Sequence, residues 1–234
     1  MARSQNSQYA KLFLVIPAFN EEKSIAKVVH DLQNHGFSNI VVIDDCSLDA
    51  TAKEAMQAGA TVLRHIINLG QGAALKTGNT YALEKGADII VHFDADGQMQ
   101  VSDIKKMIEP ITEENVDITI GSRFLGKAEN IDFGKKIMLK LARFVILVLY
   151  GLWLTDSQNG FRAMNKYAAG KIDITSNRME HAGEILGEIK KKKLKVKEVP
   201  VRIIYTKYSM AKGQSWTKSF SLGTRMILRK IIKR

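Results

Sequence analysis

Short apolar runs and helically spaced segments alternate through the first half of this chain. The run KLFLVIPAFN at 11–20 reads as a buried strand that stops at Pro17. In 21–36, Ile25, Val28, Val29 and Leu32 follow the spacing of one helix face, and Gly36 is a suitable stop. A second apolar run at 39–51, NIVVIDDCSLDAT, ends in acids; ATAKEAMQAG is again helical, and TVLRH reads as a short strand. The Gly-containing loop of NLGQGAALKTGNTYALEKG leads into a further helix, and a strand at 88–93 follows. Such alternation predicts βαβ units around a largely parallel sheet covered on both faces, an α/β fold. Ligands of these sheets sit beyond the carboxyl ends of the strands. Three of the strands end there in polar groups: PAFNEE, DDCS and DADGQ.

The second half is less regular. DITIGSRF at 117–124 predicts a strand ending in Gly121, Ser122 and Arg123, and a Lys-bearing helix is expected over roughly 134–154. TDSQNGFRAMNK reads as a polar loop, RMEHAGEILGEIKKKKL as a helix and KVKEVPVRIIY as a strand. SMAKGQSWTK reads as a flexible basic loop, and the final SFSLGTRMILRKIIKR is basic and amphipathic. We therefore expect a loose tail at 1–10, one domain over 11–213 and a basic amphipathic segment at 214–234.

Composition narrows the class. With 234 residues, 45% of them hydrophobic, the chain can bury a substantial core and is not of disordered type. The single cysteine, Cys46, leaves no internal disulfide and fits a reducing compartment. The longest strongly apolar stretch is FVILVLYGLWL at 144–154, whereas a bilayer-spanning helix needs about 20 residues. No transmembrane segment is expected. The net charge of +11 is concentrated at the C-terminus, where 15 bases from Lys190 onward accompany one acid, Glu198. That excess is either a solvated basic face or the footprint of an anionic partner. The chain carries no aromatic-studded RNA-binding signature and no zinc-finger spacing, so no nucleic-acid partner is expected.

The candidate chemistry lies in VHFDADGQ. Asp94 and Asp96 follow an apolar strand, and Gly97 lets the chain turn with little strain. Paired acids at a strand end hold a cation, do acid–base work or start a turn. As oxygen ligands they suit Mg²⁺ or Mn²⁺, with phosphates and water completing the coordination. Asp44 and Asp45 end an earlier strand and Gly121-Ser122-Arg123 a later one. Acids, a divalent ion and nearby bases are what a nucleoside diphosphate requires.

VIPAFNEE, VVIDDCSLDAT, NLGQGAALKTG, HFDADGQ, IGSRF and DSQNGFRAMN, in that order, resemble the family-two GT-A glycosyltransferases. More narrowly they resemble the dolichyl-phosphate mannosyltransferase and polyprenyl-phosphate glycosyltransferase branch, over roughly 11–213. The resemblance implies a GT-A fold: a Rossmann-like, mostly parallel sheet flanked by helices. It implies that Pro17, Phe19 and Glu21 line a nucleoside pocket, with Phe19 where tyrosine is commoner, and that Asp45 meets the nucleobase. Asp94, Asp96 and Gln98 match the metal and diphosphate ligands, Arg123 an acceptor-phosphate residue, and Asp156 and Arg162 a loop near the reaction centre. Lys212 matches a basic loop at the donor site. Two departures stand out. Gln71 occupies a position where the family often has lysine, and an arginine common in the mannosyltransferases' basic loop is missing, with Lys207 close by.

The resulting expectation is an enzyme: inverting transfer of a sugar from a GDP-mannose or UDP-glucose type donor to a polyprenyl or dolichyl phosphate. A phosphate acceptor needs no strong base, whereas a sugar hydroxyl would need one, and Asp156 is the candidate. KKIMLKLARFVILVLYGLWL fits either a core helix or a membrane-interface helix; TRMILRKIIKR fits membrane-surface binding. We expect a cytoplasmic protein associated peripherally with the cytoplasmic membrane face, with room for an integral-membrane partner. Rival readings are a transferase with a soluble or carbohydrate acceptor, a nucleotidyltransferase, whose Gly-rich phosphate loop is absent here, and a non-catalytic membrane-associated module.

Overall fold

A computed structural model describes residues 11–129, 151, 153–157 and 159–205. Its seven strands are β1 Leu12–Ala18, β2 Ile40–Asp44, β3 Thr61–Arg64, β4 Ile89–His92, β5 Ile118–Glu129, β6 Arg162–Asn165 and β7 Val196–Ile204. They lie in the order β3-β2-β1-β4-β6-β5-β7. Only β6 opposes the rest, pairing antiparallel with β4 and β5; every other neighbouring pair is parallel. The helices described are α1 Ile25–Asn34, α2 Thr51–Gln57, α3 Gln71–Glu84, α4 Ile104–Glu113, α5 Lys166–Lys171 and α6 His181–Lys191.

The two faces of the sheet follow from the period of two along each strand. Leu12, Leu14 and Ile16 turn to the face covered by α1, α2 and α4, where Ile25, Val29, Leu32, Ile104 and Met107 are buried. Phe13 and Val15 turn to the other face, against Leu75 of α3, Ala168 of α5 and Ile185 and Leu186 of α6. Both faces being dry explains why the strands read as continuous apolar runs.

Four expectations need correction. β1 does not stop at Pro17 but continues to Ala18. Val15 accepts from Phe93 on the β4 side, so Pro17, two residues on, turns its ring nitrogen to that side as well. Pairing with β4 ends at Val15 and His92, and the missing N–H therefore costs no ladder bond. The expected polar loop at 155–166 contains β6, a strand spelled Arg-Ala-Met-Asn whose first three residues are buried. α4, which carries Pro110, has no counterpart among the expected elements. Residues 151, 153 and 154, the expected end of a helix, are not helical; 130–150 lie outside the described residues. The tail at 1–10 and the C-terminal segment at 214–234 also lie outside them.

The two halves of the sheet's carboxyl edge are joined by Phe93, after β4, and Phe161, before β6. Both are buried, with rings edge to face at 5.5 Å and 84°. Phe161→Ala should cost roughly 3–5 kcal/mol of unfolding free energy. A urea titration checks this, with a lower midpoint and an unchanged slope expected.

Candidate active site

Reversal of β6 has a direct consequence. The carboxyl ends of β1, β2, β4 and β5 share one edge of the sheet, and the antiparallel β6 begins where those strands end. Arg162 is thereby set opposite His92 on one side and Ile120 on the other. Residues far apart in sequence meet along this edge.

At its centre β4 gives way to a turn. Gly97 has φ of +73°, and Gln98 donates its backbone N–H to Asp96 Oδ1 at 3.0 Å and its side-chain amide to Oδ2 at 2.5 Å. Gln98 thus orients Asp96. Asp94 receives a long hydrogen bond from Gln71 Nε2, 3.4 Å to Oδ1, and its carboxylate packs against Gly160. Burial first, and the neighbouring Asp96 second, push the Asp94 carboxyl up to about 7, against the opposing pull of Arg162 and Arg123. Asp96 is also raised, by burial and then by Glu21, while its bonds from Gln98 oppose the shift. Glu21, just beyond β1, therefore belongs electrostatically to the same acidic group.

Arg123 and Asp156 form one unit. Arg123 donates from Nε to Asp156 Oδ2 and from Nη2 to Oδ1, each at 2.6 Å, and its backbone N–H adds a third bond at 2.9 Å. Its Nη1 donates to the Tyr205 hydroxyl at 2.6 Å. Burial disfavours the guanidinium charge, but the Asp156 bonds outweigh it and hold the pKa above the usual arginine value. The β5–β7 register slips between Ser122 and Lys127, and this irregularity lets Arg123 leave the ladder for the site. On the other side, Glu198 accepts from the backbone of Thr155 and Asp156 at 2.8–2.9 Å and pins the loop. Tyr205 and Glu198 were not among the expected site residues; Glu198 lies near the start of the expected strand at 195–205 and Tyr205 at its end.

Arg162 lies beneath the edge, 1% exposed, and among the described residues none of its three guanidinium nitrogens has a hydrogen-bond partner. Burial lowers its pKa to about 10, with Asp94 and Asp156 opposing the shift. His92 donates from Nε2 to Asn79 Oδ1 at 2.8 Å, and His181 Nδ1 meets the Arg178 carbonyl at 2.8 Å. Both imidazoles are held neutral by burial and then by Arg162, His181 at about 4 and His92 well below its usual value. Arg162 thus lies below the edge as a buried charge that acts on Asp94, Asp156 and the two imidazoles through space.

Asp45 is also engaged by the protein. Its Oδ1 meets His65 Nδ1 at 2.7 Å and Leu69 N–H at 2.9 Å, and its Oδ2 accepts from Gly70 N–H at 2.6 Å. The loop after β3 is wrapped around this carboxylate. Pro17 is half-buried in β1, and Phe19 is exposed just past the strand's end. Lys212 and Lys207 lie outside the described residues. Among the described residues no group of three or more His, Cys, Asp or Glu is placed to hold a metal. The crowded pair Asp94 and Asp96 nonetheless fits Mg²⁺ or Mn²⁺, which use one or two carboxylates and take remaining ligands from phosphate and water.

Asp94 makes stability depend on pH. Its folded pKa lies above the unfolded 3.8, so between 3.8 and about 7 the folded state keeps a proton that the unfolded chain has lost. Its contribution therefore falls as pH rises through that window, by at most about 1.4 kcal/mol per pH unit. His92 and His181 act in the opposite sense, so the test is a comparison. Asp94→Asn should gain urea stability relative to the wild type between about pH 5 and 7 without metal; a constant difference would contradict this.

Residues 13–173 match glycosyl transferase family 2. The UDP-N-acetylglucosamine–dolichyl-phosphate N-acetylglucosaminyltransferase of Methanococcus voltae is 38% identical over 243 residues, covering 95% of this chain and 97% of that protein. The undecaprenyl-phosphate mannosyltransferase of Micrococcus luteus is 29% identical over 172 residues, covering 70% of each chain. Among solved structures, glucosyl-3-phosphoglycerate synthase from Mycobacterium tuberculosis, in complex with Mn²⁺, UDP and glucosyl-3-phosphoglycerate, is similar with a TM-score of 0.74 at 16% identity. That likeness covers 97% of this chain and 84% of the other, and it carries the expected GT-A architecture. With a family match over most of its length and a full-length relative at this identity, the chain belongs to glycosyl transferase family 2 and is a glycosyltransferase.

Proposed function

We propose that this glycosyltransferase moves a sugar, with inversion, from a nucleotide-sugar donor to a polyprenyl or dolichyl phosphate at a membrane surface, using a divalent cation. The observation that carries the reading is the Asp94–Asp96 pair, crowded at the carboxyl edge of the sheet with Glu21 alongside. The lipid-phosphate acceptor is supported by the names of the Methanococcus and Micrococcus relatives. A uridine diphosphate donor is favoured, because the relative covering nearly the whole chain is named for UDP-N-acetylglucosamine.

Asp156 supports the same acceptor class. Both its oxygens already accept from Arg123, which leaves it poorly suited to take a proton from a sugar hydroxyl. A phosphate monoester arrives ionised and needs holding more than deprotonation. Its oxygen attacks the anomeric carbon while the bond from that carbon to the diphosphate oxygen breaks, and the nucleoside diphosphate leaves with the electron pair. Bound to Asp94 and Asp96, a divalent ion supplies charge neutralisation for that diphosphate. Arg123 spends three of its five side-chain N–H groups on Asp156 and Tyr205, leaving two to hold the acceptor phosphate. Gln98 orients Asp96, Gln71 reaches Asp94, and the Arg162 charge favours the ionised form of Asp94 from below.

The membrane part of the proposal rests on surface chemistry. Among the described residues no helix is long and apolar enough to cross a membrane. Phe124, Leu125 and Trp153 are nonetheless exposed large apolar side chains, and the C-terminal TRMILRKIIKR interleaves bases with aliphatics.

A panel of UDP-N-acetylglucosamine, UDP-glucose and GDP-mannose, assayed against a polyprenyl phosphate with Mn²⁺ or Mg²⁺, should place labelled sugar in the lipid phase. Asp96→Ala should abolish that transfer while its circular dichroism matches the wild type; full activity in this variant would reject the metal seat. Removing 221–234 should weaken co-sedimentation with anionic liposomes, and unchanged binding would reject the membrane role of that segment.

A further inference from the structure

The segment leading into α6 runs across the start of α3. Asn177 accepts at its carbonyl from the N–H groups of Gly72 and Ala73, at 2.7 and 3.2 Å. Glu184 accepts from Thr175 N–H at 2.9 Å and Ser176 N–H at 2.7 Å, and the Arg178 carbonyl is bonded to His181. The backbone of 175–178 is therefore held from three directions. The Arg178 side chain crosses Gly70, where an added Cβ would stand 2.9 Å from Arg178 Cγ and 2.5 Å from the Asn177 carbonyl oxygen. Gly70 also has φ of +100°, so glycine alone suits this crossing. Arg178 is exposed, and among the described residues its guanidinium has no ion pair or hydrogen bond.

The crossing point joins the two ends of the candidate site. Gly70 N–H donates to Asp45, and the next residue, Gln71, reaches Asp94 with a neutral amide. The local charge balance then needs a cation. Asp94, Asp96 and Glu21 bring three carboxylates, a divalent ion offsets two, and a diphosphate adds about two negative charges. The other two arginines serve elsewhere: Arg123 is paired with Asp156 and keeps its two remaining donors for the acceptor phosphate, and Arg162 lies in the buried layer. A solvent-facing guanidinium on a fixed backbone suits a diphosphate through its fork of donors.

We propose that Arg178 binds the diphosphate of the nucleotide-sugar donor, beside Gly70 and Gln71, and stabilises it as the leaving group. This rests on the glycosyl-transfer reading above. The donor is the source of the phosphate because Arg178 lies by the Asp45 loop after β3, whereas Arg123 stands on β5, across Asp94 from that loop.

Titration calorimetry of the full chain with Mn²⁺ separates the possibilities, using UDP, GDP and uridine as probes. Arg178→Ala should weaken binding of the preferred diphosphate roughly 10- to 100-fold, the range of a lost charge-assisted hydrogen bond. Uridine affinity and melting temperature should stay unchanged, and Arg178→Lys should fall between, keeping charge without the fork. Undiminished diphosphate affinity in Arg178→Ala, beside a wild type that binds, would overturn the role of Arg178 alone. A wild type that binds neither UDP nor GDP with Mn²⁺ would overturn the donor reading and this proposal with it. If Arg178→Ala instead raises only the KM for a short polyprenyl phosphate, the residue serves the acceptor and the proposal is wrong.

Discussion

Like charge held together by rigid backbone is the constraint around which this molecule is arranged. Asp94 and Asp96 end the central strand β4, and both carboxyls are raised above their ordinary values by burial and by neighbouring acids. Carboxylates in water would move apart, but the turn at Gly97 and the bonds from Gln98 keep these together. The strain is electrostatic, and a bound divalent cation would relieve it where a protein cation in the same place would block a ligand. Arg162 and Arg123 lower the Asp94 pKa without filling that place, one from below and one from its pairing with Asp156.

Delivering those two arginines is what the less regular half of the chain does. β6 is a short reversed strand whose first residue reaches the shared edge, and β5 breaks register with β7 where Arg123 departs. Phe161 fills the space between this half and β4. A uniformly parallel sheet would bring the far end of β6 to the site and leave Arg162 at the opposite edge.

These features also mark how far the amino-acid pattern can be read. β1, β2, β4 and α1 are legible because both faces of the sheet are dry and the helix is amphipathic, so apolar spacing maps directly onto structure. The acids at strand ends are legible for the same reason. β6 is not, since Arg-Ala-Met-Asn has no strand signature and its place depends on pairing with β4 and β5. The bond between Arg123 and Asp156 spans 33 positions and carries no local signal. Asp45 shows a third kind of illegibility: its position at a strand end is plain, yet His65, Leu69 and Gly70 occupy its oxygens, which only the folded loop reveals. Patterns of residue type locate groups; the availability of their lone pairs is a tertiary property.

Availability decides the chemistry. Asp156 and Asp45 are both acids in suitable places, and both accept hydrogen bonds from internal donors. Beneath them, burial and the Arg162 charge keep His92 and His181 neutral, so neither histidine adds a second positive charge to the layer near pH 7. Arg162 is itself lowered only to about 10 and stays protonated there. The buried layer thus holds a constant charge while the exposed edge above it can exchange ions and phosphates. Among the described residues this site has no free base poised for a neutral hydroxyl, but it has well-placed acids for a cation and arginines for anions. It is suited to a reaction in which nucleophile and leaving group both arrive already ionised, and in which the protein's part is to hold charge rather than to move protons.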